Sequence, residues 1–334
     1  MASHGQLLQF ALLAGFVLAT TLTLMIAACE LPLRRLLSGK TPSQRARLSW
    51  WMLATPGLGG IAYTTLTITM PSLLYDSARF AAACSAHSAG ALWHMCVWHP
   101  SDNGQSAWLW GALALLAGCA AWLAVRALRG LWRVRESLAA MVCLSWRPGH
   151  SDKLHVLDTR QPVALACGIG RGRVLLSTAL LERLDPRQLR IVLAHEEAHI
   201  AHRDVLYRLI AVVLSSIQLP GTRRRLLGDL ALASEQRCDL VAANAVGCRV
   251  AVAETIVAVE RIFRHHANER SPLSMAFLAG FVPERVKVLL SPDRHSVSYL
   301  GAVLGFGVLA FCGLSTGWLH ALTEALIALL TRHT

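Results

Sequence analysis

The chain has 334 residues, of which 54% are hydrophobic and only 16% charged, and its mean hydropathy is +0.46. A water-soluble domain carries about a quarter charged residues, so part of this chain belongs in an apolar solvent. Disordered, collagen-like and disulfide-scaffold classes are excluded by the same composition, nine cysteines in this length being too few for a framework. The formal charge of +12 then asks for a location before it asks for a partner.

In chain order, four uncharged stretches reach the ~20 residues that a bilayer crossing needs: 7–29, a segment within 48–75 centred on about 50–73 and broken by Pro56, Gly57, Gly59 and Gly60, then 105–125, and a segment within 296–323. The first has no basic leader region and no small-residue cleavage site, so it reads as a retained span rather than a signal peptide. Basic residues set the orientation. Arg34, Arg35, Lys40, Arg45 and Arg47 lie between the first two spans, whereas Arg79 alone faces Asp76 and Asp102 in the next loop. Arg126, Arg129, Arg133, Arg135, Arg147 and Lys153 follow the third span. The positive-inside rule places the N-terminus outside and residues 126–295 in the cytosol. The expected division is therefore a membrane region (1–125), a cytosolic domain (126–295), and a last span with a short tail (296–334). For 296–330, one span and a tight hairpin both remain open. Most of the positive charge is topology and attraction to anionic lipid. Arg223, Arg224 and Arg225 come with no nucleic-acid recognition motif, so no direct nucleic-acid partner is expected.

Within the cytosolic segment, residues 154–158, 162–167 and 173–177 read as short strands separated by turn residues. Helices follow. Asp185-Pro186 is an N-cap with proline in the first helical position, opening a helix to about residue 203, and further helices are expected at 228–246, 250–266 and 283–291. The stretch 205–219 is apolar but only 15 residues long and contains Arg208, short of a span. It is expected to be a buried or membrane-apposed helix.

The chemistry is concentrated in His195-Glu196-Glu197-Ala198-His199. Residues four apart share a helix face, so His195 and His199 can present two imidazoles to one metal ion. Glu196 lies beside them, where a carboxylate can take a proton from a water that zinc has acidified toward a pKa of ~7. A catalytic zinc needs a third protein ligand. His202 shares the face but is seven residues, ~10.5 Å of helix, from His195. Glu235 is the better candidate, with Cys238 a second one. Asp239, four residues beyond Glu235, can face the same way and orient a zinc-binding histidine through its other ring nitrogen. His202, Tyr207 and Arg285 are candidates for stabilising an oxyanion. In the outer loop, Cys84, His87, His94, Met95, Cys96 and His99 are potential soft-metal ligands. The plainer reading there is a disulfide between Cys84 and Cys96, or two free thiols among scattered histidines.

The HExxH motif followed by Glu235-x-x-x-Asp239 resembles the gluzincin membrane peptidases. Three spans before the motif and one after it resemble the BlaR/MecR-type antirepressor branch. The HtpX and CAAX prenyl protease branch places its spans differently. Arg285, in Pro283-Glu284-Arg285-Val286, resembles a basic position near the end of the family domain. The resemblance implies an α-helical membrane protein of about four spans in a bacterial inner membrane. Its cytosolic domain would be a mainly α, α+β gluzincin that uses Zn2+ to cleave a protein or peptide substrate, such as a transcriptional repressor, on an external signal. It also implies that residues 173–177 form the edge strand on which the peptide lies, and it allows a homodimer. The penicillin-binding sensor of that branch is not expected here. The alternatives are an HtpX-like quality-control protease and a non-catalytic sensor stabilised by zinc.

Overall fold

The computed structural model describes residues 4–37, 39–69, 107–148, 153–168, 172–266 and 281–291. The expected fourth span and the metal-ligand-rich outer loop lie outside the described residues.

The chain opens with helices α1 (His4–Leu37) and α2 (Pro42–Thr69), which pack on each other along much of their length. Thr41 starts α2 with a reciprocal cap: its hydroxyl accepts from the Gln44 N–H at 3.4 Å, and the Gln44 side chain accepts from the Thr41 N–H at 3.3 Å. The two helices cross at Gly15 and Gly60, where a Cβ on either residue would sit 2.9 Å from the other's carbonyl oxygen. Only glycine permits that approach. Among the described residues, Ala11–Pro32 in α1 is one segment long and apolar enough to cross a membrane. Helix α3 (Ala107–Cys143) continues without a break from the expected third span into charged sequence. Leu115, Trp122, Leu128 and Trp132 on it are all more than half exposed.

A small sheet follows, of β1 (Ser145–Trp146), β2 (Leu154–Leu157), β3 (Ala164–Cys167) and β4 (Arg173–Ser177), in the order β1-β2-β4-β3. β4 runs parallel to β2 and antiparallel to β3. This corrects the expectation that residues 173–177 form an edge. Val174, Leu175, Leu176 and Ser177 are all buried, as a strand flanked on both sides requires, and among the described residues β3 is the outer strand beside the helices.

After the short α4 (Thr178–Leu181), helix α5 (Pro186–Ala201) begins as expected from its sequence. The Asp185 carboxylate accepts from the N–H groups of Arg187 and Gln188 at 2.8 Å, and Gln188 returns a bond to the Asp185 N–H at 3.1 Å. The apolar stretch at 205–219 forms α6 (Asp204–Leu214) and a 3₁₀ turn (Ser215–Ile217). The chain then reverses into α7 (Pro220–Val246), which starts eight residues earlier than expected, followed by α8 (Arg249–His266) and α9 (Val282–Leu290).

Three apolar cores hold these elements. Val174, Leu176, Leu180, Val192 and Phe263 fasten α5 and α8 to the sheet. Ile191, Ala242, Ala243, Val252, Ile256 and Leu289 join α5, α7, α8 and α9. Leu48, Met52, Leu53, Ala211, Leu226, Leu230 and Ala233 bind α2 to α6 and α7. Helix α7 is therefore the shared wall between the N-terminal pair and the HExxH helix.

Candidate metal centre

On α5 the four-residue spacing does what helical geometry dictates: His195 Nε2 and His199 Nε2 lie 3.2 Å apart. Helix α7 crosses opposite them and delivers Glu235. Its carboxylate oxygens stand 3.4 Å from His195 Nε2 and 3.5 Å from His199 Nε2. A tetrahedral zinc with bonds of ~2.0–2.1 Å places its ligand atoms ~3.3–3.4 Å from one another. The two ring nitrogens are 3.2 Å apart, and the carboxylate approaches each through a different oxygen, Oε2 at 3.4 Å and Oε1 at 3.5 Å, so three side chains converge at separations close to that value. The donor set fits zinc: two imidazole nitrogens and one carboxylate oxygen. Because Glu235 meets His195, the 205–219 stretch turns back on itself and does not separate the two helices.

The surrounding groups fix these side chains. Asp239 Oδ1 lies 3.0 Å from His195 Nδ1, the position expected from its spacing to Glu235. His199 Nδ1 has an equivalent partner that sequence reasoning missed, Asp204 Oδ2 at 2.8 Å. Asp204 is in turn held by Arg237. The only hint in the sequence is an aspartate five residues after the second histidine. Its approach depends on Arg203, whose φ of 53° is the left-handed turn that folds α6 back against α5. Nothing in an arginine announces that conformation.

Arg285 is buried on α9 and spans both carboxylates of α7. It donates to Asp239 at 2.6 and 2.8 Å and stands 3.2 Å from Glu235 Oε2. It is therefore a clamp, which argues against an oxyanion role. His202 Nδ1 lies 2.7 Å from the Ala198 carbonyl, capping its own helix. The ring of Tyr207 packs edge-on against Trp50. Cys238 also adjoins the centre, 3.4 Å from His199 Nδ1, but burial and the charges of Asp204 and Glu235 push its thiol far up. A thiol kept protonated is a poor ligand, which favours Glu235 as the third.

Charge at the centre favours a bound cation. Burial alone would depress the His195 imidazole, yet the hydrogen bonds to Asp239 and Glu235 outweigh it and push its pKa up to about 10. Burial would raise the Glu235 carboxyl, but the His195 hydrogen bond and the Arg285 charge hold it well below the usual range. Asp239 is likewise held low against burial by Arg285. Without metal, a proton on His195 takes the cation's place.

Glu196 faces the sheet. Its Oε2 accepts from the Ala166 N–H of β3 at 2.7 Å, which ties the carboxylate to the outer strand. In the antiparallel register of β3 with β4, alternate residues turn their backbone groups outward. Ala166 is one of these, and Ala164 is the other.

Residues 132–271 match the model of Peptidase family M48. The HExxH motif, Glu235 and Asp239 all fall inside the matched segment. Relatives are similar over a shorter stretch. "Protease HtpX homolog" of Aquifex aeolicus is 43% identical over 65 residues, which is 19% of this chain and 22% of the relative. The homologues of Helicobacter pylori strain J99 (38% over 69 residues, 20% of this chain and 22% of the relative) and Ralstonia pickettii (37% over 65 residues, 19% and 23%) are similar. The chain thus spans about a fifth of the length of these relatives. No solved structure matches it significantly.

Proposed function

We propose that this chain is a membrane-anchored zinc metalloendopeptidase, with His195, His199 and Glu235 as metal ligands and Glu196 as general base. The observation that carries the reading is the convergence of two imidazole nitrogens and one carboxylate at zinc-ligand separations, beside a carboxylate that belongs to none of them. A structural site has no use for that adjacent base, which weighs against the non-catalytic sensor.

Bound there, zinc would polarise the scissile carbonyl and lower the pKa of a water toward ~7. The chain's own residues do the rest. One oxygen of Glu196 is anchored on the Ala166 N–H. The carboxylate takes the proton of the attacking water and passes it to the leaving amine nitrogen. Asp239 and Asp204 keep each histidine in the tautomer that leaves Nε2 unprotonated toward the metal. An extended peptide adds to the outward backbone groups of Ala164 and to the Ala166 carbonyl on β3, the Ala166 N–H being held by Glu196. Strand addition binds backbone without demanding much sequence.

The apolar Ala11–Pro32 segment supports membrane anchoring. The basic loops support a multi-pass chain in a bacterial inner membrane, with the N-terminus outside and the M48 domain in the cytosol. Among finer readings, the names of the relatives support the HtpX-type protease more than the BlaR/MecR-type antirepressor. Substrates are then protein segments near the membrane rather than one repressor.

The test is zinc content and peptide hydrolysis of the full chain in detergent, wild type against Glu196→Gln. The variant is expected to keep about one zinc and lose at least ~10³-fold in rate, because it retains the ligands and loses the base. Equal rates for the two proteins would end the peptidase reading. In cells, a broad set of membrane-protein termini dependent on Glu196 fits the HtpX type, whereas a single cytosolic regulator fits the antirepressor.

A further inference from the structure

Helix α7 has two working faces. Glu235 and Asp239 meet the α5 histidines, while Leu226, Leu230 and Ala233 lie in the core shared with α2. Gln236 sits between them, only 2% exposed. Its Oε1 accepts from Arg45 Nη1 of α2 at 2.9 Å, and its Nε2 donates to the Glu284 carbonyl at the start of α9 at 3.0 Å. The orientation of this amide is fixed by chemistry, because a guanidinium only donates and a carbonyl only accepts. The residue after Glu284 is Arg285, which grips Asp239 with two bonds and stands 3.2 Å from Glu235. A continuous polar path therefore runs from α2, through both ends of one buried amide, to the clamp on the metal-site carboxylates.

We propose that Arg45 is a positioning residue for the metal centre: through Gln236 and the Glu284-Arg285 step it sets the placement of Glu235, so that seating of the α1–α2 pair is read out as metal retention. The proposal rests on the zinc reading above. Both ends of Gln236 are occupied by groups from different elements, so it acts as a spacer of fixed length. If α2 slides, the amide either loses Arg45 or draws Glu284 with it, and Arg285 follows. The domain that carries the proposed ligands is thereby made dependent on the N-terminal helices, which supply none of those ligands.

The test uses the full chain in detergent micelles, with zinc retention measured by competition with a chromophoric chelator and folding followed by thermal melting. Removing a group that directly orients a zinc ligand typically costs 10- to 100-fold in metal affinity. Arg45 acts further away, so Arg45→Ala is expected to weaken retention by about 3- to 10-fold. Arg45→Lys, which keeps a donor to Gln236, should recover most of that loss. The Arg45→Ala/Gln236→Ala double variant should be no worse than Gln236→Ala alone, as for two links of one chain. Arg34→Ala is the control. It removes another arginine contact from the N-terminal pair to α7, the ion pair of Arg34 on α1 with Asp229, that does not lead to Arg285. Wild-type retention in Arg45→Ala, or an equal loss in Arg34→Ala, would overturn the proposal. Should Arg45→Ala melt early, the Arg45→Lys recovery and the Arg34→Ala comparison still decide it. Full zinc binding by Glu235→Ala would instead overturn the ligand assignment, independently of Arg45.

Discussion

At the scale of single residues, the metal centre is an arrangement of negative charge that needs a positive occupant. In the metal-free protein that occupant is a proton on His195, whose pKa is pushed up to about 10 by Asp239 and Glu235 against the opposing effect of burial. A group raised above its unfolded value of ~6.5 contributes stability that is complete below ~6.5 and lost as pH rises through 10. Asp204, Glu235 and Asp239 are held below their ordinary values. They contribute above ~4, and that contribution is lost as pH falls further. The chelated protein should therefore be most stable between about pH 4 and 6.5, losing on the order of 1–3 kcal/mol between pH 6 and 9. Zinc must reverse this slope, because only neutral imidazole binds metal and protons compete with it. Thermal midpoints with and without chelator across that range provide the check. A metal-free protein that melts higher at pH 9 than at pH 6, or a slope that survives His195→Gln, would contradict the account.

At the scale of elements, periodicity and caps made most of the domain legible. Asp185-Pro186 announced α5, and short β-rich runs between turn residues marked β2, β3 and β4. What the sequence hid depends on elements remote in the chain. Residues 173–177 look like any short apolar strand, and their central position follows only from how β3 returns antiparallel beside them. The Asp204 contact with His199 required the left-handed turn at Arg203. The α6–α7 reversal hid another dependence, centred on Pro56. Proline has no N–H to give to the carbonyl four residues earlier, that of Met52. Here Gln218, just past the 3₁₀ turn, donates to Met52 O at 2.7 Å and to Leu53 O at 3.3 Å. The next residue is Gly57, where a Cβ would lie 2.7 Å from the Leu214 carbonyl. The proline frees the acceptor and the glycine admits the hairpin that satisfies it. Gln218→Ala should cost about 1–2 kcal/mol, since it leaves a buried carbonyl unpaired. In a Pro56→Ala background, where the helix supplies its own N–H to Met52, the same change should cost clearly less. A double-mutant cycle by thermal melting should give a coupling of roughly 1 kcal/mol, and strict additivity would refute the pairing.

At the scale of the whole molecule, the N-terminal helices are packed into the same fold as the helix that carries Glu235 and Asp239. Beyond the apolar core of α2 with α6 and α7, polar contacts recur along the seam. Glu30, which is fully buried, takes two bonds from Arg225 at 2.6 and 2.7 Å. Arg34 meets Asp229 at 2.8 Å, and Trp50 donates to the Tyr207 carbonyl at 2.9 Å. Removing α1 and α2 would bare Leu226 and Leu230, which are 1% and 6% exposed in the intact chain. Each fully buried leucine is worth ~1.5–3 kcal/mol, so these two alone account for roughly 3–6 kcal/mol. That is comparable with the ~5–15 kcal/mol by which whole domains are stable. The helix losing this support is the one that carries Glu235 and Asp239. A chain beginning at residue 107 is therefore expected to aggregate without detergent, and in detergent to hold well under one zinc per chain and to cleave no peptide. Co-expression with residues 1–69 as a separate polypeptide should restore zinc binding if the contacts described are what it lacks. A truncated chain that is monodisperse and fully zinc-loaded would mean that α7 keeps its place without them, and that the buried seam serves anchoring alone.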